Sequence, residues 1–118
     1  KMIKNKFGRI VHGSSIGVKF GGSQKTFSYS LSKHMQEFIP RECRSWAKEN
    51  VFVNIARIGV TKTRIHSKLK DKDLSLRAKQ IPAGRLANPE EITEALFWLA
   101  SEKNGFTTNE TISIAGGE

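Results

Sequence analysis

The sequence predicts an α/β domain in which strands and helices alternate in the order strand, helix, strand, helix, strand. Residues 51–56 (VFVNIA) form a near-continuous apolar run, which is typical of a parallel strand buried on both faces. On each side of this run, a stretch with helical spacing of apolar residues separates it from another strand-like segment. This alternation implies a parallel sheet joined by right-handed crossovers.

The first strand and helix are predicted within residues 1–50. A basic tail at 1–6, expected to be helical, precedes a short strand at 8–12, and the Gly- and Ser-rich residues 13–24 predict a loop. Residues 27–50 predict a helix with a kink or break at Pro40, which frees the carbonyl of Gln36. The positions of this helix expected to be buried are Phe27, Leu31, Met35, Phe38, Ile39, Trp46 and Ala47.

The second half of the order follows the buried strand. Residues 62–80 predict an excursion with short helical pieces, because basic residues are interspersed among leucines there. Asn88 as N-cap, Pro89 at the first position and Glu91 completing a capping box predict a helix start. The apolar stripe of that helix comprises Ile92, Ala95, Leu96 and Leu99, and residues 111–114 predict the last strand.

Composition and charge exclude several classes of function. The 118 residues allow one domain at most, and 37% hydrophobic residues indicate a globular chain. No apolar run approaches the roughly 20 residues of a membrane span, so no membrane partner and a cytoplasmic location are expected. Cys43 is the sole cysteine, which excludes a multi-cysteine metal site. The net charge is +9, yet no nucleic-acid-binding motif is present, so no nucleic acid is expected.

Tyr29 and Lys33 are the candidate catalytic pair. Residues four apart lie on one face of a helix, and an ammonium beside a phenol lets tyrosine donate and accept protons near neutral pH. A hydroxyl of the upstream Ser14-Ser15 pair is placed to polarise a carbonyl that the tyrosine protonates. The alternative interpretation is an ordinary half-buried tyrosine and a solvated lysine.

Five ordered segments together resemble the short-chain dehydrogenase/reductase family. Residues 8–15 look like the strand that ends in the family's catalytic serine, and Tyr29 and Lys33 match its Y-x-x-x-K motif. Residues 53–63 are similar to the pattern V-N-x-x-x-P-G-x-x-x-T, and segments 81–92 and 111–117 match two further signatures. The resemblance implies a Rossmann-like doubly wound parallel sheet, of which this chain carries the C-terminal half.

The resemblance also implies an enzyme that transfers hydride between NAD or NADP and a carbonyl or secondary alcohol. The implied catalytic residues are Ser15, Tyr29 and Lys33, with Ser15 favoured over Ser14 because its spacing from the tyrosine is nearer to the family's. The implied cofactor-binding residues are Tyr29, Lys33, Ile58, Gly59 and Thr63, and no metal is expected.

Two departures limit what the resemblance implies for these residues alone. The glycine-rich T-G-x-x-x-G-x-G turn, which places a pyrophosphate at a helix N-terminus, does not occur in the 118 residues. Ile58 also replaces the family's usual proline. We therefore expect residues 1–118 to form a partial NAD(P)-binding domain without the glycine-rich half. Two hypotheses remain open: a part of a longer reductase, or a truncated non-catalytic binding or scaffold piece.

The expected partners are a small carbonyl or alcohol substrate and, when the protein is complete, further copies of itself. A cluster of basic residues after Thr63 suits an anionic substrate. A solvated lid over the site is an equally good interpretation of the same cluster. The cluster comprises Arg64, His66, Lys68, Lys70 and Lys72.

Overall fold

A three-stranded parallel sheet with helices on both faces forms the domain. In the computed structural model, which describes residues 1–66 and 71–118, β1 (Gly8–Ser15), β2 (Val51–Ile58) and β3 (Thr111–Ile114) lie in the order β1-β2-β3. β2 pairs with β1 along its whole length and with β3 over its last four residues. The predicted parallel α/β sheet is confirmed, although β1 continues to Ser15 where a loop from residue 13 was expected.

The core of the domain is the central strand β2. Residues 51–56 are all buried, as the apolar run predicts. Asn54 is the polar exception: its side-chain amide donates to the Thr107 carbonyl (2.9 Å), and its Oδ1 accepts from the Glu110 N–H (3.1 Å). Because both polar ends are satisfied, Asn54 fixes the chain that enters β3 without leaving an unpaired buried group.

The helix predicted over residues 27–50 is interrupted. The α-helices are α1 (Phe27–Met35), α2 (Asp71–Gln80) and α3 (Pro89–Ala100), and 3₁₀ turns span Ile16–Phe20, Arg41–Glu49 and Arg64–His66. α1 ends before Pro40, and the freed Gln36 carbonyl accepts a hydrogen bond from His12 Nδ1 (2.7 Å). The expected break is confirmed. The expected N-terminal helix is wrong, because residues 2–6 form turns.

Helices α1 and α3 cover opposite faces of the sheet. His12 and Ser14 of β1 contact the end of α1 and the turn after it, whereas Arg9 donates to the Asn104 carbonyl beyond α3 (2.8 Å). Odd and even strand residues face opposite sides. The connections from β1 to β2 and from β2 to β3 step in the same direction across the sheet. If both were right-handed, both helices would lie on one face. The crossovers therefore have opposite hands, and the expectation of two right-handed ones is wrong.

The outer face of α1 and the segment directly after it are apolar and exposed. Phe27, Leu31, Met35 and Phe38, all expected to be buried, are 49% to 73% exposed. Ile39, Trp46 and Ala47 are half-buried. The expectation failed for the first four because helical spacing identifies an apolar face but not what covers it. Within the described residues, no layer packs over this face.

Residues 62–80 begin with an exposed turn. Arg64 is exposed, and Lys68 and Lys70 lie outside the described residues. α2 then leads through residues 81–87 to α3. None of the described helices is long and apolar enough to cross a membrane.

The N-terminus of α3 has the predicted cap. The Asn88 N–H donates to Glu91 Oε2 (2.8 Å), and Arg85 binds both carboxylate oxygens of Glu91 (2.6 and 2.7 Å). The hydrogen bond from Arg85, followed by that from the Asn88 N–H, lowers the pKa of Glu91 from 4.5 to about 2. The contribution of this cap to the free energy of unfolding is therefore fully present above about pH 4.5 and is lost as the pH falls through about 2.

A titration of the Glu91 carboxyl carbon by NMR checks this cap. We expect a midpoint of about 2, and a shift towards 4.5 in Arg85→Ala, because the first cause of the shift is then absent. Lys103→Ala, beyond the far end of α3, is the matched control and leaves the midpoint where it is. A midpoint near 4.5 in the unmodified protein contradicts the cap.

Candidate active site

Tyr29 and Lys33 lie on α1 beside the carboxyl end of β1. Tyr29 is 51% exposed, and the Lys33 ammonium donates to the Gly13 carbonyl (3.0 Å) and to Gln36 Oε1 (3.1 Å). The Gly8 N–H donates to the Asn50 carbonyl, directly before β2, so the backbone N–H and C=O groups of even-numbered β1 residues point towards β2. Because successive residues of a strand alternate, those of odd-numbered residues point away from β2. Gly13 is odd-numbered. Lys33 therefore covers a carbonyl on the edge of β1 with which no described strand pairs.

Ser14 and Ser15 end β1 in different environments. Ser14 is buried (3% exposed), and its hydroxyl lies 2.7 Å from Glu37 Oε1 and 3.3 Å from the Lys33 carbonyl. Ser15 is half-buried and accepts a hydrogen bond from the Gly17 N–H (3.2 Å), which caps the turn Ile16–Phe20. Among the described residues, no hydrogen bond joins either serine to Tyr29.

The loop after Ser15 packs against the helix that carries Tyr29. Ser30, the neighbour of Tyr29, is buried, and a Cβ at Gly22 would lie 2.5 Å from its Oγ. Gly22 also has a φ of 77°, which favours glycine. The close approach brings residues 16–22, here called the Ser15 loop, against α1 at the carboxyl edge of the sheet.

Ile58 and Gly59 occupy the carboxyl end of β2. Ile58 pairs with Ser15 on one side and Ile114 on the other, and the Gly59 N–H donates to the Ile114 carbonyl (2.9 Å). A cleft of about 250 Å³ opens here, lined by Gly59 together with Val60, Ile81, Arg85, Ile92 and Gly116 among others. Thr63 is exposed and follows the segment that pairs with Ala87.

Gly59 is required by the close approach of two strand ends. A Cβ at this position would lie 2.7 Å from Ala115 Cα and 3.1 Å from the Ile114 carbonyl oxygen, both backbone atoms. We expect Gly59→Ala to lower the free energy of unfolding by about 1–3 kcal/mol, as for overpacking of a close-packed interior. Urea unfolding measures this loss. Gly105→Ala is the matched control, since a Cβ there meets nothing within 4 Å, and an equal loss in both variants contradicts the assignment.

A part-buried ion pair that the sequence did not predict lies beside Ser14. Glu37 Oε1 accepts from Arg57 Nε (2.8 Å) and Oε2 accepts from Arg57 Nη2 (2.6 Å), a bidentate pair. The Glu37 side chain is 9% exposed and that of Arg57 is 26% exposed. The hydrogen bond from Arg57 is the main cause that lowers the pKa of Glu37, despite its burial. The one available signal was a charged residue, Arg57, directly after the apolar run.

Within residues 1–66 and 71–118, no group of three or more His, Cys, Asp or Glu side chains is arranged to hold a metal ion. His12 is committed to the Gln36 carbonyl. The polar groups gathered at this edge are therefore hydroxyls, one ammonium and one ion pair.

Comparisons with known proteins agree on a family. The family model described as enoyl-(acyl carrier protein) reductase matches residues 1–118. The acetoacetyl-CoA reductase of Acinetobacter sp. is 37% identical over 99% of this chain, and the 3-oxoacyl-acyl-carrier-protein reductase of Aquifex aeolicus is 35% identical over 99%. The chain spans 47% of the length of each of these relatives.

Solved structures show the same fold. The 3-oxoacyl-(acyl-carrier-protein) reductase of Agrobacterium tumefaciens, solved with NADP bound, superposes with a TM-score of 0.85 at 29% identity, covering 99% of this chain and 47% of the other. YwfH, an NADPH-dependent reductase involved in bacilysin biosynthesis, superposes with a TM-score of 0.84 at 27% identity, covering 98% of this chain and 48% of the other. Together with the ordered motifs, these matches show that the chain belongs to the short-chain dehydrogenase/reductase family of oxidoreductases.

Proposed function

We propose that this chain is the proton-transfer half of an NAD(P)-dependent reductase that reduces a carbonyl or oxidises a secondary alcohol. The observation that carries the proposal is the placement of Tyr29 and Lys33 on α1 at the carboxyl edge of a parallel sheet. The Ser15 loop packs against this helix at the residue next to Tyr29. Ligands of open parallel sheets bind at that edge.

Each of the three side chains has a distinct role in the proposal. Tyr29, half exposed, gives its hydroxyl proton to the carbonyl oxygen and takes it back in the reverse direction. The Lys33 ammonium binds the nicotinamide ribose once it leaves the Gly13 carbonyl. Ser15 donates a hydrogen bond to the same carbonyl oxygen, keeps its own proton, and so orients the substrate.

The residues present fit one end of the cofactor. The Lys33 ammonium, the Ile58-Gly59 backbone and the Thr63 hydroxyl suit the nicotinamide and its ribose, because a side-chain-free residue at the strand end leaves room for close approach. When bound, the reduced nicotinamide supplies the hydride. The glycine-rich turn that would hold the pyrophosphate does not occur in the sequence. A complete site thus needs the half of the domain that the relatives carry in addition.

The relatives suggest the cofactor and the substrate class. NADP is bound in the Agrobacterium tumefaciens reductase, and two curated relatives are named for acyl thioesters on coenzyme A or on acyl carrier protein. We therefore propose NADP as the cofactor and a 3-oxoacyl thioester as the substrate. Such a carrier is anionic, which suits the positive charge of residues 62–80. In the complete protein we propose a homo-oligomer.

Completing the domain tests the proposal. The N-terminal half of the Aquifex aeolicus reductase, up to the residue that matches Lys1, is joined to this chain. We expect NADPH-dependent reduction of acetoacetyl-CoA by the joined protein and none by the 118-residue chain. A joined protein that folds and binds NADPH but turns over no ketone or 3-oxoacyl thioester contradicts the proposal.

The alternative is a non-catalytic binding or scaffold piece. Met35 at the end of α1 is 71% exposed and Phe38 in the segment after it is 73% exposed, so this apolar surface favours a partner that covers it. Within the described residues, nothing covers it. The coding sequence upstream of Lys1 separates the two hypotheses. An in-frame strand followed by a glycine-rich turn supports the reductase, whereas an in-frame stop codon shortly upstream of Lys1, which makes Met2 the first start codon, supports the alternative.

A further inference from the structure

The turn after α1 places one carboxylate between the ends of two strands. Glu37 lies two residues beyond α1, Ser14 is the penultimate residue of β1, and Arg57 is the penultimate residue of β2. Ser14 and Arg57 are register partners, so their side chains lie next to each other on the face that α1 covers. Glu37 therefore ties the helix that carries Tyr29 to the edge where a substrate would bind.

The carboxylate of Glu37 is largely buried and fully partnered. Its side chain is 9% exposed, both oxygens accept from Arg57, and Oε1 also lies 2.7 Å from the Ser14 hydroxyl. A buried carboxylate is retained only with such partners. Since the carboxylate accepts and cannot donate, the short contact to Ser14 is a hydrogen bond from the serine hydroxyl.

A serine hydroxyl has a single proton to donate. In Ser14 that proton lies between Glu37 and, at a longer 3.3 Å, the Lys33 carbonyl, and the charge-assisted bond to Glu37 is the stronger. Ser15 differs, because its oxygen accepts from the Gly17 N–H and its own proton stays available. The two adjacent serines are thus not equivalent donors.

We infer that Glu37, held by Arg57, is a positioning residue that accepts a hydrogen bond from the Ser14 hydroxyl. Ser15 is then the hydroxyl that donates a hydrogen bond to a substrate carbonyl. The effect of Glu37 on catalysis rests on the proposed reductase function. The hydrogen bond from Ser14 to Glu37 does not depend on that function, so the two are tested separately.

The first arm uses the unmodified 118-residue chain and needs no activity. Hydroxyl-proton exchange measured by NMR is expected to be about tenfold slower for Ser14 than for Ser15, the equivalent of one net hydrogen bond. Glu37→Leu is expected to abolish the difference. Glu42→Leu, an exposed glutamate on the turn Arg41–Glu49, is the matched control and leaves the difference in place. Equal exchange of the two hydroxyls in the unmodified chain overturns the inference.

The second arm uses the joined, NADPH-dependent protein. Ser15→Ala is expected to lower kcat by at least about tenfold with a smaller change in KM, and Ser14→Ala by less than about threefold, since a lost donor acts in the transition state. A loss of kcat in Ser14→Ala that equals or exceeds that in Ser15→Ala overturns the inference.

The two arms separate the possible failures. If the unmodified joined protein has no activity while Ser14 exchange is slow and depends on Glu37, the proposed function fails and the positioning contact stands. If activity is present but the serine variants behave in the opposite order, the proposed function stands and the inference fails.

Discussion

Replacing Tyr29 by phenylalanine is expected to lower kcat of the joined reductase by about 10²–10⁴-fold, the range that one positioned acid or base contributes. The substitution removes only the hydroxyl. Tyr29 is half exposed, and no described residue forms a hydrogen bond with that hydroxyl, so the fold has no dependence on it. We therefore expect the free energy of unfolding to stay unchanged.

The measurement is single-turnover oxidation of NADPH with excess 3-oxoacyl thioester. Ser28→Ala, which removes an exposed hydroxyl from the same helix, is the matched control and should retain full activity. Retention of activity in Tyr29→Phe would mean that another group protonates the carbonyl oxygen, and the assigned proton relay would be wrong.

Replacing Arg57 by leucine is expected to lower the free energy of unfolding by about 2–4 kcal/mol. Loss of one partner from a fully buried pair costs about 3–5 kcal/mol, and the partial exposure of Arg57 reduces that figure. The double variant Arg57→Leu/Glu37→Leu removes both charges, so we expect it to be close to the unmodified chain in stability. Urea unfolding at neutral pH measures all three proteins.

The stability difference between Arg57→Leu and the unmodified chain is expected to depend on pH. The pKa of Glu37 is lowered in the folded state, chiefly by the hydrogen bond from Arg57, so the pair contributes fully above the ordinary value of 4.5. That contribution is lost as the pH falls through the lower folded pKa. The difference between Arg57→Leu and the unmodified chain should therefore shrink in acid. A difference that is constant from neutral pH into acid contradicts an ionised, hydrogen-bonded Glu37.

The elements that depend on local sequence could be predicted. The apolar run at 51–56 is the buried central strand, and Asn88 and Glu91 begin α3 with the expected cap. These features follow from patterns within a few residues, where propensity and capping chemistry act directly. The break in the helix after Met35 follows in the same way from Pro40.

Features that depend on distant parts of the chain could not be predicted. The stripe of Phe27, Leu31 and Met35 has core-like spacing, yet it is exposed because no described element covers it. The contact between Glu37 and Arg57 joins residues 20 apart in sequence, and only the parallel register brings them together. The roles of Ser14 and Ser15 likewise depend on which of them meets Glu37, and spacing from Tyr29 does not contain that information.

We propose that the 118 residues carry the proton-transfer half of a reductase and lack the half that holds the cofactor. Titration of NADPH against the purified 118-residue chain, followed by fluorescence, tests it most directly. We predict no saturable binding at micromolar concentrations by the chain alone, and saturable micromolar binding after the N-terminal half of the Aquifex aeolicus reductase is joined to it. Micromolar binding by the chain alone would contradict the claim.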